Sequence, residues 1–255
     1  MKKLFLVLAA AFAMVACQTD INEVGVVAGG EVDVTFEVGT PTRAYSDGKT
    51  ATVLQYAVYE GADENATLLP SLTGTKEIHG STTVPFKLVT GNTYTVIFWA
   101  AAPNAPYSVD WATGTMTVDY TNAVSNDETR DAFYKRHTFT VTGAQTETIE
   151  LRRPFAQLNI GTNDYTASAN AGYNPEYSAV TVKNIYKTLN FWTGAVDNAV
   201  EVNFDYAKIA KKEVFPYDDT NYDYLAMNFL VHHILEYLLF GAVKNIFLIV
   251  KLCKL

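Results

Sequence analysis

Asp219-x-Asn221-x-Asp223 places three oxygen-bearing side chains at the alternating spacing with which a calcium loop opens. The next position lacks the glycine that lets such a loop turn, and Leu230 stands where its bidentate glutamate belongs. The segment therefore reads as a solvated loop. His232, His233 and Cys253 carry ligand atoms, but adjacent residues on a strand diverge and do not chelate as spaced pairs do. His79 and His137 each stand apart from any serine or cysteine in a nucleophile's setting. The acids are scattered at exposed strand positions, with no pair spaced for acid–base work. Trp99, Trp111 and Trp192, with many tyrosines, could line a sugar platform, although such aromatics more commonly fill a β core. No catalytic residue, metal site or cofactor signature emerges, and an enzyme is not expected.

One thiol is set for chemistry by its context. Cys17 follows Met14-Val15-Ala16, behind the charged Lys2-Lys3 and a short apolar run from Leu4 to Val15. Charged, apolar and small-residue segments in that order form an export signal, too short to span a bilayer as a mature helix. Met14–Cys17 resembles a bacterial lipobox, where a small residue before the cysteine permits cleavage and the thiol is acylated. Methionine in place of the usual leucine is its one departure. Residues 1–17 are expected to be a lipoprotein signal peptide, and residues 18–30, polar and without periodicity, a tether. Two or more acyl chains on Cys17 would supply the stable membrane anchor that one chain cannot. A disulfide scaffold is then excluded, because only Cys253 remains.

The elements that must position everything else are strands. The 255 residues suffice for one large or two ordinary domains, and a net charge of −8 argues against nucleic acid. Val32, Val34, Phe36 and Val38 alternate with Glu31, Asp33, Thr35 and Glu37, as a half-buried strand does. Thr93 to Ala102 is nearly continuous in apolar and β-branched residues, as a strand buried on both faces would be. Short strands with turn residues between them predict a sandwich or barrel. Asn126–Arg136 breaks the pattern: acids early and bases late complement a helix dipole, predicting a short helix or helical turn whose Phe133 packs on a sheet.

Leu151-Arg152-Arg153-Pro154-Phe155 interrupts the strand-like sequence, after which Ala156, Leu158 and Ile160 restart alternation. This seam divides a first domain at 31–150 from a second at 151–230, within which 216–224 reads as a loop. Beyond Leu230 the apolar residues at 234, 235, 238, 239, 242, 243, 246, 247 and 250 have helical spacing. Residues 231–255 are thus expected to be an apolar helical tail, from a shifted reading frame, a truncation joined to foreign sequence, or a real membrane-facing helix.

The lipobox, Thr42-Arg43-Ala44 after the first strand, Arg130-Asp131-Ala132-Phe133-Tyr134, Leu151–Gly161 and Tyr224–Asn228 stand in an order that resembles fimbrillin-like surface lipoproteins of Gram-negative anaerobes. The resemblance covers roughly residues 1–230. It implies an all-β chain of two transthyretin-like β-sandwich domains in tandem, with the short helix in the first and the second incomplete. It also implies outer-membrane, cell-surface display and assembly as a structural or adhesive subunit. In assembling members a protease cuts after an arginine behind the first strand, and another subunit's strand fills the groove thus opened. Arg43 and Ala44 flank the matching bond here. The partners expected are the membrane, other fimbrial subunits, and host or glycan ligands. The alternative is a lipoprotein that binds a glycan or peptide and never polymerises.

Cys17→Ala is expected to remove the acylated thiol and shift the protein from membrane to soluble or uncleaved fractions in detergent partitioning. Unchanged partitioning would contradict the lipobox reading.

Overall fold

The structure, a computed structural model, describes residues 29–40, 47–173, 176–209, 214–217, 220–231 and 247–251. The chain begins with β1 (Glu31–Gly39), β2 (Val53–Glu60), β3 (Thr67–Leu68), β4 (Gly74–Glu77), β5 (Ser81–Val89) and β6 (Thr93–Ala101). There follow β7 (Tyr107–Asp110), β8 (Thr115–Val118), β9 (Ala132–Thr140), β10 (Gln145–Glu150) and β11 (Ala156–Thr162). After α1 (Tyr165–Asn170) come β12 (Tyr177–Asn190), β13 (Val196–Lys208), β14 (Val214–Tyr217), β15 (Thr220–Leu230) and β16 (Phe247–Lys251). The fold is all-β, as the alternating sequence predicts.

Two sheets enclose the first core. In one, β1 lies between antiparallel β5 and parallel β10. In the other, β2 carries β3 and β4 on one side and β6 on the other, with β9 beyond. Val34, Phe36 and Val38 meet Val84, Phe86 and Leu88 of β5 and Val96, Phe98 and Ala100 of β6, all buried. Strand β6 is buried on both faces, as its unbroken apolar run predicts. Its second face, with Ile97 and Trp99, joins Met116, Phe155, Leu189, Phe191 and Phe229 in another core. One strand thus serves two cores.

The remaining sheets run β13-β12-β8-β7 and β14-β15-β11-β16. Between them Ala156 and Leu158 pack with Ile185, Val202, Phe204 and Leu230, and Ile160 lies at the margin. Strands β7 and β8, which fall within the expected first domain, pair with each other, and β8 pairs with β12.

Three expectations change in detail. Helical geometry near Asn126–Arg136 is confined to the 3-10 turn Glu128–Arg130, capped by Asp127, whose side chain accepts from Thr129 N at 3.0 Å. Ala132 onward is strand, because β6 offers Ala132–Thr140 a complete antiparallel partner. Residues 214–217 and 220–223 form the hairpin β14–β15 rather than a loop. The expected helical tail contains a strand: Phe247–Lys251 pairs with Gly161–Gln157 of β11, supplying a fourth strand to the sheet expected to lack one. An open edge on β11 would leave a row of unpaired peptide groups, and an apolar run this short fits either periodicity. Residues 232–246 lie outside those described. Among the described residues no helix is long and apolar enough to cross a membrane.

The seam is held by charge. Buried Arg153 donates from Nε to Asp131 Oδ1 at 2.6 Å and from Nη2 to Oδ2 at 2.7 Å, a bidentate pair. Its guanidinium also lies 4.9 Å from the centroid of the Phe133 ring. Beside it, Tyr134 N donates to Arg152 O at 2.8 Å and Arg152 N to Tyr134 O at 3.0 Å. On the far side, Gly48 at φ +73° leaves room for Phe133, whose ring a Cβ there would meet at 2.8 Å.

Removing one partner of such a pair strands a buried charge, so Arg153→Ala is expected to cost about 3–5 kcal/mol in denaturant unfolding. The double variant Asp131→Leu/Arg153→Met is expected to recover most of that loss. An unchanged midpoint for Arg153→Ala would contradict the role assigned to the pair.

Candidate functional site

Cys17, Arg43 and Ala44 lie outside the described residues. The strand immediately ahead of Arg43 is described in full, and its setting is the candidate site. Alternation puts Val34, Phe36 and Val38 inward and Glu31, Asp33 and Glu37 outward along β1. The backbone of β1 is paired on both sides, with Glu31–Gly39 against Val89–Ser81 of β5 and Val34–Gly39 against Gln145–Glu150 of β10. Its ends are also tied: at the start Thr90 N donates to Gly30 O, and past the last residue Thr40 N donates to Gly80 O and Leu151 N to Gly39 O, all at 2.9 Å.

Fully burying each of the three inward side chains stabilises by roughly 1.5–3 kcal/mol. Their sum is comparable with the roughly 5–15 kcal/mol net stability of a whole domain. Loss of a strand so placed would open a groove floored by apolar residues and bordered by two unpaired edges, β5 and β10. On the solvent face Asp33 Oδ1 accepts from Lys87 Nζ at 2.8 Å, and that hydrogen bond holds the Lys87 ammonium above its usual range. Both groups are exposed, so this pair guides register more than it stabilises.

At the β10 side of the groove, His137 Nε2 lies 3.2 Å from Glu147 Oε2, and Glu147 Oε1 accepts from Gln145 Nε2 at 2.8 Å. The His137 ring stacks on Phe139 at 5.6 Å. His137 is therefore a wall of the first core. His79 is exposed, 3.8 Å from Glu77. Asn221 and Asp223 sit within β15, opposite Pro216 and Val214 of β14, so their spacing is the alternation of a strand, and Asp219 lies outside the described residues. No cluster of three metal-ligating side chains occurs among the described residues. His232, His233 and Cys253 lie outside them.

The tryptophans do not form a platform. Trp99 is 1% and Trp192 7% exposed, both in the core beneath β6, with Trp111 half-buried beside Phe191. Around them the tyrosine hydroxyls are used internally: Tyr59 donates to Trp111 O at 2.7 Å, Tyr134 to Phe191 O at 2.8 Å and Tyr120 to Tyr186 O at 3.2 Å. Burial pushes Tyr120 up to about 12, and also raises Tyr59, Tyr107 and Tyr134. The aromatic lining of the β1 groove carries no local signal in the sequence, because Phe86 and Phe98 come from separate strands and converge on Phe36 only in the fold.

The fold and groove define a multi-sheet β-protein whose first described strand fills the middle of a sheet. The chain belongs to DUF6562, described as a family of unknown function, whose model matches residues 25–233. A comparison with curated protein sequences finds no match. Among solved structures it is similar to a candidate adhesin from Bacteroides ovatus, at 10% identity and TM-score 0.46, over 78% of this chain and 68% of that one. It is also similar to the fimbrial anchor protein Mfa2 from Porphyromonas gingivalis, at 11% identity and TM-score 0.45, over 77% and 73%. A candidate adhesin from Bacteroides thetaiotaomicron matches at 12% identity and TM-score 0.45, over 88% and 76%.

The buried tyrosines carry a pH consequence. Their folded values lie above the roughly 10 of an unfolded chain, so their contribution is complete below pH ~10 and is lost as pH rises toward the folded values. Each tyrosine kept neutral is expected to cost up to ~1.4 kcal/mol per pH unit above that point. Denaturant midpoints at pH 8 and 11 are expected to fall accordingly, and equal midpoints would contradict the burial assigned to these hydroxyls.

Proposed function

We propose that this chain is a fimbrial-type cell-surface lipoprotein, a structural or adhesive subunit that exchanges β1 for a partner's strand after cleavage between Arg43 and Ala44. The observation that carries the reading is the position of β1. It is central in its sheet, yet it precedes almost all of the described chain, and Arg43 follows only four residues after Gly39. A cut there would detach β1 covalently while leaving its hydrogen bonds and side-chain contacts as its only tether. The lipobox at Cys17 and the ordered motifs around Arg43, Asp131 and Arg153 support display at the outer membrane and the fimbrial class. Partners under this reading are the lipid bilayer and other subunits. The alternative, a non-polymerising binder of a glycan or peptide, loses its motivation from aromatic content, since Trp99 and Trp192 are interior.

The test is the mature N-terminus of protein recovered from the cell surface. A chain beginning at Ala44 is expected in assembled material. A chain beginning at lipidated Cys17 under all conditions would overturn the assembly reading and leave the alternative.

A further inference from the structure

We infer that the β1 groove selects its occupant by one aromatic side chain, and that a partner strand must read apolar-x-apolar-x-aromatic-x-apolar with the ring where Phe36 now sits. This rests on the strand-exchange reading above and names the chemistry of the partner.

The Phe36 ring is enclosed by aromatic neighbours. Phe139 lies at 5.4 Å, Phe98 at 5.6 Å, Phe86 at 5.7 Å and His137 at 6.3 Å between ring centroids, three of the four edge-on. These come from β5, β6 and β9, none from β1, so the pocket belongs to the acceptor. Directly across from Phe36 on β10 stands Glu147, held by His137 and Gln145. The pocket thus has aromatic walls on three strands and an internally satisfied polar wall on the fourth. An aliphatic side chain would leave space among the rings, and a polar one would be buried without a partner.

Register follows from the same geometry. A one-residue slip of the occupant turns its acids inward, and a two-residue slip leaves valine in the aromatic pocket while pressing phenylalanine onto the Val34 or Val38 position. The acid at position 33 opposite Lys87 adds a second, weaker mark on the outer face. In β13 Val200, Val202 and Phe204 alternate in the same order as Val32, Val34 and Phe36, and Phe204 is buried edge-on to Tyr120 at 6.3 Å.

The experiment uses the full chain, cleaved after Arg43 with an arginine-specific protease, and fluorescent peptides of residues 31–39. The parent peptide is expected to enter the groove under sub-denaturing urea. Its Phe36→Ala version is expected to bind at least about 100-fold more weakly. A peptide of unchanged composition carrying Val34→Phe with Phe36→Val is expected to do no better than Phe36→Ala. Equal entry of parent and either variant overturns the selectivity while leaving strand exchange intact. Entry by none, with the chain cleaved and folded, overturns strand exchange and the selectivity together.

Discussion

A buried ion pair between Asp131 and Arg153 ties together the two stretches on which the sequence turns. Taking both charges out of water is costly, and the cost is met only when the fork of the guanidinium meets both carboxylate oxygens, as it does here. That geometry fixes where β9 starts relative to the approach of β11. It also fixes Phe133, which lies under the guanidinium and against Gly48. Arg152 and Tyr134, bonded through their backbones, carry the same junction one residue further. Arg130 sits at the other flank, with Nη1 donating to Asp119 O at 3.2 Å. Motifs that look separate in the sequence are thus two sides of one contact.

From this junction the two halves cannot be treated as independent beads. Strand β6 presents Val96, Phe98 and Ala100 to the first core and Ile97 and Trp99 to the second. The same sheet therefore supports the groove that holds β1 and the aromatic layer that meets β8, β12 and β15. The segment after β6 forms the β7–β8 hairpin, whose β8 pairs with β12. Phe98 and Phe139 are positioned by β6 and β9, which pair with each other, whereas β5 and its Phe86 pair with β1 itself.

What was legible in the sequence was local. The alternation of β1, the unbroken apolar run of β6 and the restart at Ala156 each follow from which faces are buried, and each appears where expected. What was not legible was pairing across distance. Nothing in Tyr107–Val118 says that its partner is β12, because any edge with free peptide groups would accept a hairpin. Short segments misled for a related reason. Ala132–Arg136 and Phe247–Lys251 are too brief for periodicity to decide between helix and strand, and the available neighbouring strand decided instead. The polar residues Gln157 and Asn159 look solvent-facing in sequence but are buried, since β11 is covered on both faces. The site was half legible: β1 and Arg43 could be read, the ring of aromatics around Phe36 could not.

The central claim is that β1 is separable from a body that stays folded. Native-state hydrogen exchange on the chain cleaved after Arg43 tests it most directly. The account predicts that amides of residues 32–38 exchange through a local step, well ahead of those in β6 and β11, whose protection survives cleavage. Amides of 32–38 that open only together with β6 and β11, in cleaved and intact chains alike, would show that β1 leaves only when the whole protein unfolds, and would contradict the account.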